Sequence, residues 1–145
     1  MPATVPDSYS METRPPSASE YFRLRSETGL TPKTLPQCEA AVESPANWAF
    51  RTVRHSESGE AVGMGRVVSD GAWYFLIADI AVLPEHRGQG LGRTVTEALV
   101  SELRDRTGEG AYVTLTADAP GRALYESIGF THVSERGASG MEMRL

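Results

Sequence analysis

The sequence predicts an α/β fold in which helices flank a mixed, mostly antiparallel sheet. Three observations lead to this class. Apolar residues follow a strand-like period of two from Trp48 onward, whereas the segments on either side favour helices. The pair Asp70-Gly71 is typical of a tight hairpin between two strands. A strand, a long helix and another strand then follow one another between residues 74 and 117, and this βαβ order predicts parallel strands.

The N-terminal third predicts one short strand and two helices. We expect residues 1–8 to be flexible because nothing in them predicts packing, and residues 9–13 to form an edge strand. Ser17 and Glu20 have the spacing of a capping box, which predicts the start of the first helix. A second helix is predicted over residues 35–42.

The middle of the chain predicts the centre of the sheet. Residues 48–55 and 61–68 alternate between the two faces of a strand. Residues 73–82 are almost continuously apolar, which is typical of a central strand covered on both faces. Asp79 is the one acidic residue in this segment.

The C-terminal half predicts the crossover helix and three further elements. Leu91, Val95, Leu99 and Leu103 form one apolar stripe on a long helix, and this stripe predicts a buried face. A strand over 111–116, a short helix over 122–128 and a terminal strand pair over 131–135 and 141–145 complete the pattern. We therefore expect about six to seven strands and about four helices in a single domain of residues 9–145.

Composition and charge limit the classes of partner. The chain has 14 Lys and Arg against 19 Asp and Glu, a formal net charge of −5, so we expect neither nucleic acid nor a membrane surface as a partner. A run of 18 apolar residues is absent, and the first six residues do not resemble a secretory signal. Cys38 is the single cysteine and cannot form an internal disulfide, so we expect a cytoplasmic location. We expect the protein to be a monomer or a homodimer.

The turn between the central strand and the long helix contains Gly88, Gly90 and Gly92. Glycine costs about 1 kcal/mol relative to alanine inside a helix, so helix stability does not explain Gly92. Glycines let the unpaired N–H groups of a helix start approach an anion, and the helix dipole favours negative charge there. The turn predicts a phosphate or pyrophosphate site with Arg87 and Arg93 beside it, and a tight turn without a ligand is the alternative.

Two motifs resemble those of the GNAT superfamily of N-acetyltransferases. Val82-x-Pro84 followed by Arg87-x-x-Gly90-x-Gly92 resembles the acetyl-CoA signature of that family. The stretch from Ala123 to Phe130, with Leu-Tyr-Glu at its centre and Gly-Phe at its end, is similar to a second family motif. The resemblance is close over residues 61–131 and looser over 9–60.

The resemblance implies a GNAT fold with acetyl-CoA bound in a cleft between two splayed parallel strands, here residues 74–82 and 111–117. CoA would leave as a product, and no metal is implied, in agreement with histidines that lack ligand spacing. The residues implied to bind the cofactor are Ile80, Ala81, Val82, Arg87, Gly88, Gln89, Gly90, Leu91, Gly92, Arg93, Asp118, Arg122 and Tyr125.

The resemblance also implies two catalytic residues. Tyr125 would protonate the leaving CoA thiolate, and its alternative role is a core aromatic packed against Phe130. Asp79 would accept or relay the proton of the acceptor amine; a structural pair with Arg66 is the alternative, and ordered water could serve instead. Asp118 stands where family members often have an asparagine that contacts pantetheine, and an ionised acid cannot donate that hydrogen bond.

The resemblance further implies an acceptor site between the first two helices and the end of the hairpin. Its expected contacts are Tyr21, Leu30, Trp73 and Asp79, with core packing as the alternative for the apolar side chains. Such a surface suits an amine with an apolar or aromatic group, and the short span before the signature leaves little room for a polymer. We therefore expect acetyl transfer to the primary amine of a small molecule, by direct attack in a ternary complex. A protein or peptide acceptor, or an acyl-CoA-binding module without catalysis, remains the alternative.

Overall fold

The computed structural model describes residues 3–145 and confirms the α/β class. Part of the segment expected to be flexible, residues 1 and 2, lies outside the described residues. The strands are β1 (Tyr9–Glu12), β2 (Asn47–His55), β3 (Ala61–Ser69), β4 (Tyr74–Val82) and β5 (Tyr112–Thr114). The α-helices are α1 (Ala18–Ser26), α2 (Leu35–Glu43), α3 (Leu91–Arg106) and α4 (Arg122–Ile128). Short 3₁₀ helices occupy Pro84–His86, Ala119–Gly121 and Val133–Arg136.

The chain forms two compact units, Met1–Thr114 and Leu115–Leu145. The first contains the sheet and helices α1 to α3, and the second contains α4 and two of the 3₁₀ helices. The sheet order is β1-β2-β3-β4-β5, with every pair antiparallel except β4 and β5, which are parallel. The helix between the parallel strands is α3, as the βαβ pattern predicts.

The parallel pairing is short. β5 pairs with β4 only from Tyr74↔Tyr112 to Leu76↔Thr114, whereas β4 continues to Val82. Beyond Leu76, this edge of β4 therefore has no strand partner among the residues that the structure describes. Its backbone N–H and C=O groups are open to pairing from that side.

A β-bulge lies in the part of β4 that β5 leaves open. Met64 pairs with Ala81 but Arg66 pairs with Ala78, so Gly65 faces an extra residue on β4. Asp79 has φ 59°, a left-handed conformation that acidic residues tolerate better than most. A Cβ on Gly65 would lie 2.5 Å from Ile80 Cδ1 and 2.7 Å from Val95 Cγ1, so any larger residue there would force these side chains to shift.

The core lies between the sheet and its helices. The predicted stripe on α3 is buried, with Leu91, Val95, Leu99 and Leu103 each at most 2% exposed. On the α1 side, Tyr21 and Leu24 are buried. Burying large apolar side chains of this kind contributes about 1.5–3 kcal/mol each.

The predicted capping box at the start of α1 is confirmed. Glu20 N–H donates to Ser17 Oγ at 3.2 Å, and Ser17 N–H donates to Glu20 Oε1 at 2.8 Å. A second capping box, formed by Thr34 and Gln37, begins α2. Both helices therefore start on side chains that satisfy unpaired backbone donors.

The predicted terminal strand pair is wrong. Residues 133–136 form a 3₁₀ helix, and residues 141–145 have no regular secondary structure. The described residues therefore contain five strands instead of six to seven. Alternation specifies which side chains share a face but supplies no partner strand, and a lone pair of short strands is marginally stable.

The ion pair between Glu20 and Arg54 makes stability depend on pH. Arg54 Nη1 donates to Glu20 Oε2 at 2.6 Å, and this hydrogen bond is the main cause that lowers the pKa of Glu20 from 4.5 to about 2. A lowered pKa stabilises the fold above pH 4.5, and that contribution is lost as the pH falls through about 2.

We expect Glu20→Gln to remove this pH dependence while its amide oxygen keeps the capping box. Wild type should lose about 1 kcal/mol more than the variant on acidification, since a partly exposed pair is screened by water. Urea unfolding at a series of pH values between 5 and 2 measures the difference, and parallel curves for the two proteins would contradict the assignment.

Candidate active site

The glycine-rich turn joins the end of β4 to α3. After the 3₁₀ helix Pro84–His86, Gly88 has φ 78° and Gly90, the N-cap of α3, has φ 76°. Residues with a side chain rarely adopt this left-handed backbone conformation, so both positions favour glycine. Gly92 differs, because it is helical and a Cβ there would meet only Val82 Cγ2, at 3.8 Å.

The turn presents backbone donors without acceptors. The N–H groups of residues 88–92 have no hydrogen-bond acceptor within residues 3–145. They precede or begin a helix of 16 residues, whose dipole places partial positive charge at this end. Open donors, glycines with positive φ and an uncrowded Gly92 fit a phosphate-bearing ligand.

Two arginines accompany the turn. Arg87 Nε donates to the Val82 carbonyl at 3.2 Å, and Arg87 Nη2 donates to the Thr28 carbonyl at 3.4 Å. Arg87 therefore connects the turn to the end of β4 and to the loop after α1. Arg93 forms an exposed salt bridge with Glu97 at 3.3 Å.

The other cofactor residues predicted in the first unit lie on the free edge of β4. Ile80, Ala81 and Val82 belong to the stretch without a β5 partner and lead directly into the turn. An extended ligand with amide groups could add to this edge as a strand does. The first unit thus brings together the cofactor residues predicted from 80 to 93.

Asp79 lies at the centre of a buried polar cluster. Its Oδ2 accepts from the Tyr21 hydroxyl at 2.5 Å and from Arg66 Nε at 2.7 Å. Its Oδ1 accepts from Arg25 Nη1 at 2.6 Å. The Asp79 side chain is 8% exposed, and the left-handed bulge turns it towards α1 and β3.

Burial also affects the tyrosine of this cluster. Desolvation raises the pKa of Tyr21 to about 12, and the hydrogen bond to Asp79 adds to the effect. Tyr21 is therefore a protonated donor at neutral pH. The Arg66 guanidinium carbon lies 5.9 Å from the centre of the Tyr21 ring.

These contacts match the structural alternative considered for Asp79, its pair with Arg66. A carboxylate that already accepts from three donors is well placed to orient its neighbours, and its predicted role as a base stays a prediction. The sequence analysis did not identify Arg25 as a residue of this site. The available signal was its position four residues after Tyr21, which places both on one face of α1.

The other predicted acceptor residues, Leu30 and Trp73, do not take part in the Asp79 cluster. Leu30 lies half-buried in the loop between α1 and α2. Trp73 is 57% exposed and lines a cavity of about 170 Å³ with Trp48, Phe75 and Arg106. Asp79 lies six positions after Trp73 along an extended chain, a span of about 20 Å, so the structure does not bring these two together.

The second unit contains Tyr125 and its neighbours. Burial raises the pKa of Tyr125, and the nearby charge of Asp118 adds to the shift. Its ring packs edge-on against Phe130, with the centroids 6.1 Å apart. A Cβ on Gly121 would lie 2.9 Å from Tyr125 Cε2, so glycine leaves room for this ring. Arg122 is the exposed first residue of α4.

The histidines form contacts that the sequence did not indicate. The His55 and His86 rings lie 5.3 Å apart, and His86 Nδ1 is 2.9 Å from the Tyr9 hydroxyl. In the part of the chain that the structure describes, no group of three or more potential ligands could hold a metal ion. Over the same residues, no helix is long and apolar enough to cross a membrane.

A sheet with a short parallel pair and a glycine-rich turn with open backbone donors define a class of protein that the comparisons identify. The profile of the acetyltransferase (GNAT) family matches residues 13–130. The chain belongs to this family, which confirms the resemblance seen in its two motifs.

Relatives that match the chain are named for different acceptors. Ribosomal protein bS18-alanine N-acetyltransferase of Escherichia coli is 30% identical over 88% of this chain and 82% of its own length. Serotonin N-acetyltransferase 2, chloroplastic, of rice is 33% identical over 73% of this chain and 59% of its own. The chain spans only 30% to 36% of the length of three other plant relatives that match it.

A solved structure shows the same fold over nearly the whole chain. It is a probable acetyltransferase of unknown function from meticillin-resistant Staphylococcus aureus. The two chains are 31% identical with a TM-score of 0.84, over 94% of this chain and 99% of the other.

We expect Asp79→Asn to destabilise the fold by about 3 kcal/mol, because Arg25 and Arg66 would keep their buried charges without a carboxylate. Asparagine tolerates the left-handed conformation and has nearly the same shape, so the substitution isolates the charge. Thermal and urea unfolding measure the change. An unchanged midpoint would show that the two guanidinium groups do not depend on Asp79.

Proposed function

We propose that the protein is an acetyl-CoA-dependent N-acetyltransferase acting on the primary amine of a small molecule. The open amides of residues 88–92, beside the free edge of β4, are the observation that carries this proposal. Membership of an acetyltransferase family supports the reaction class. We also propose a cytoplasmic location and one functional domain over residues 9–145.

The cofactor, when bound, supplies an acetyl group activated as a thioester. We propose that the amides of residues 88–92 bind its pyrophosphate, with Arg87 and Arg93 adding positive charge. The backbone of Ile80 and Val82 would pair with the amide groups of its pantetheine arm. Gln89, Leu91, Asp118 and Arg122 complete the proposed contacts.

We propose Tyr125 as the general acid for the departing thiolate. A general acid must be protonated before it acts, as tyrosine already is at neutral pH, and burial raises the pKa of Tyr125 further from its ordinary value. For the acceptor amine, the three donors on Asp79 favour water as the proton acceptor, with Asp79 positioning the residues around it.

The loop between α1 and α2 supports a small acceptor. Arg25 Nη2 donates to the Thr31 carbonyl at 2.7 Å while Arg25 Nη1 binds Asp79, and Arg87 binds the Thr28 carbonyl. Two arginines thus tie this loop to β4 and its turn, and an acceptor wall fixed in this way favours a compact substrate. The rice relative named for serotonin supports the same class.

A protein N-terminus is the second candidate acceptor. It is favoured by the Escherichia coli relative named for the alanine of ribosomal protein bS18, which aligns with most of this chain. Thiol release from acetyl-CoA, measured with small amines and with a peptide that begins with alanine, separates the two. Turnover of the peptide alone would overturn the small-molecule proposal. Binding of acetyl-CoA without turnover of any acceptor would favour a binding module.

Gly92→Glu should weaken acetyl-CoA binding by at least about tenfold, because it adds a negative charge where the pyrophosphate is proposed to bind. An acidic residue in the first helical turn stabilises the helix, so unfolding would not explain the loss. Isothermal titration with CoA measures the affinity.

Gly92→Ala is the matched control. A methyl group has space there and should raise stability by up to about 1 kcal/mol, with CoA affinity within about threefold of wild type. Equal CoA affinity in the glutamate and alanine variants would contradict the proposed pyrophosphate site.

Tyr125→Phe should lower kcat by at least about tenfold while the ring keeps its packing against Phe130. Because the pKa of Tyr125 is raised above 10.0, wild-type kcat should decline only above pH 10, and the variant should lack that decline. Steady-state rates across this range provide both measurements. Full activity in the variant would exclude Tyr125 as the general acid.

A further inference from the structure

The Asp79 cluster holds more positive than negative charge. Arg25 and Arg66 both form salt bridges with Asp79, and neither pairs with another carboxylate within residues 3–145. The two arginine side chains are only 12% and 16% exposed. One positive charge is therefore left over at a place where water screens charges poorly.

Neutral oxygen atoms stabilise part of this excess. Arg25 donates twice to the Thr31 carbonyl, from Nε at 3.0 Å and from Nη2 at 2.7 Å. Arg66 Nη1 donates to Asn47 Oδ1 at 2.8 Å. These dipoles orient the guanidinium groups but carry no net charge, so an added anion would be stabilised here.

Arg66 keeps one nitrogen for a ligand. Its Nε binds Asp79 and its Nη1 binds Asn47, whereas its Nη2 has no acceptor among residues 3–145. Nη2 is also not fully buried, because Glu102 Oε2 is the one fully buried side-chain nitrogen or oxygen without a hydrogen bond among residues 3–145. A ligand could therefore bind Arg66 without displacing an existing contact.

The cluster is placed where an acceptor would approach. Asp79 lies in the stretch of β4 that β5 leaves open, three residues before Val82 and the start of the glycine turn. Arg66 pairs across the sheet with Ala78, next to Asp79. Arg25 comes from α1, one of the two helices expected to wall the acceptor site.

We propose that the acceptor is an amine that also carries a carboxylate, such as a free amino acid, and that Arg66 binds this carboxylate. The inference rests on the proposed function and names its substrate class. Guanidinium groups bind carboxylates through charged hydrogen bonds. A single carboxylate charge balances the single excess positive charge, whereas a phosphate monoester carries about −1.5 to −2.

The test compares each acid with its uncharged amide. L-alanine, L-leucine, L-phenylalanine and L-glutamate are assayed beside their α-amides and 2-phenylethylamine, with phosphoethanolamine as a second anion. We expect kcat/KM to favour the best acid over its amide by at least about tenfold, the effect of one charged hydrogen bond. Equal values, or a preference for phosphoethanolamine, would overturn the inference.

Variants of Arg66 assign the preference to this side chain. Arg66→Gln removes the excess charge but leaves Asp79 paired with Arg25, so the fold should persist. It should reduce the ratio of acid to amide by at least about tenfold, and Arg66→Lys should retain part of that ratio. Arg23→Gln removes an exposed positive charge from α1 and should leave the ratio unchanged.

The outcomes separate this inference from the function on which it rests. A loss of activity in Arg66→Gln that is equal for acid and amide would mean a structural role and would overturn the inference. If no amine reacts at all, the proposed function fails. In that case the inference is tested by calorimetric titration of L-phenylalanine and its amide into the CoA-bound protein. Equal binding of the two, or no binding of either, overturns the inference.

Discussion

The three-way contact of Asp79 with Tyr21, Arg25 and Arg66 is the interaction on which the attachment of α1 to the sheet depends. It joins α1, β3 and β4 through one carboxylate. Asp79 makes this contact from a β-bulge opposite Gly65, where its backbone is left-handed. A side chain at Gly65 would force those of Ile80 and Val95 to shift, so the residue opposite the bulge is small where α3 packs closely.

The two halves of the proposed site use different chemistry. The turn at residues 88–92 offers backbone amides and a helix dipole, which attract an anion without requiring a basic surface. The Asp79 cluster uses side chains whose charges are buried and therefore strongly felt. A chain of net charge −5 can consequently bind an anionic cofactor while its outer surface remains favourable to amines.

Local features were predictable from the sequence and long-range ones were not. The α3 stripe, the capping box at Ser17 and the parallel strands around α3 each follow from residues close together in the chain. The contact between Arg25 and Asp79 spans 54 positions, and no local period encodes it. The predicted terminal strands were wrong for a related reason. Alternation at 141–145 indicates which side chains would share a face of a strand, but it cannot indicate a neighbouring strand.

Arg87 connects the glycine-rich turn to the loop after α1, and this connection has a thermodynamic consequence. Its guanidinium holds the Val82 carbonyl at the end of β4 and the Thr28 carbonyl in the loop after α1. A ligand that draws Arg87 away from Thr28 loosens that loop, and linkage requires that a tightened loop oppose the same ligand equally. Under the proposed function, cofactor and acceptor would each change the affinity for the other through this one side chain, whichever of them binds first.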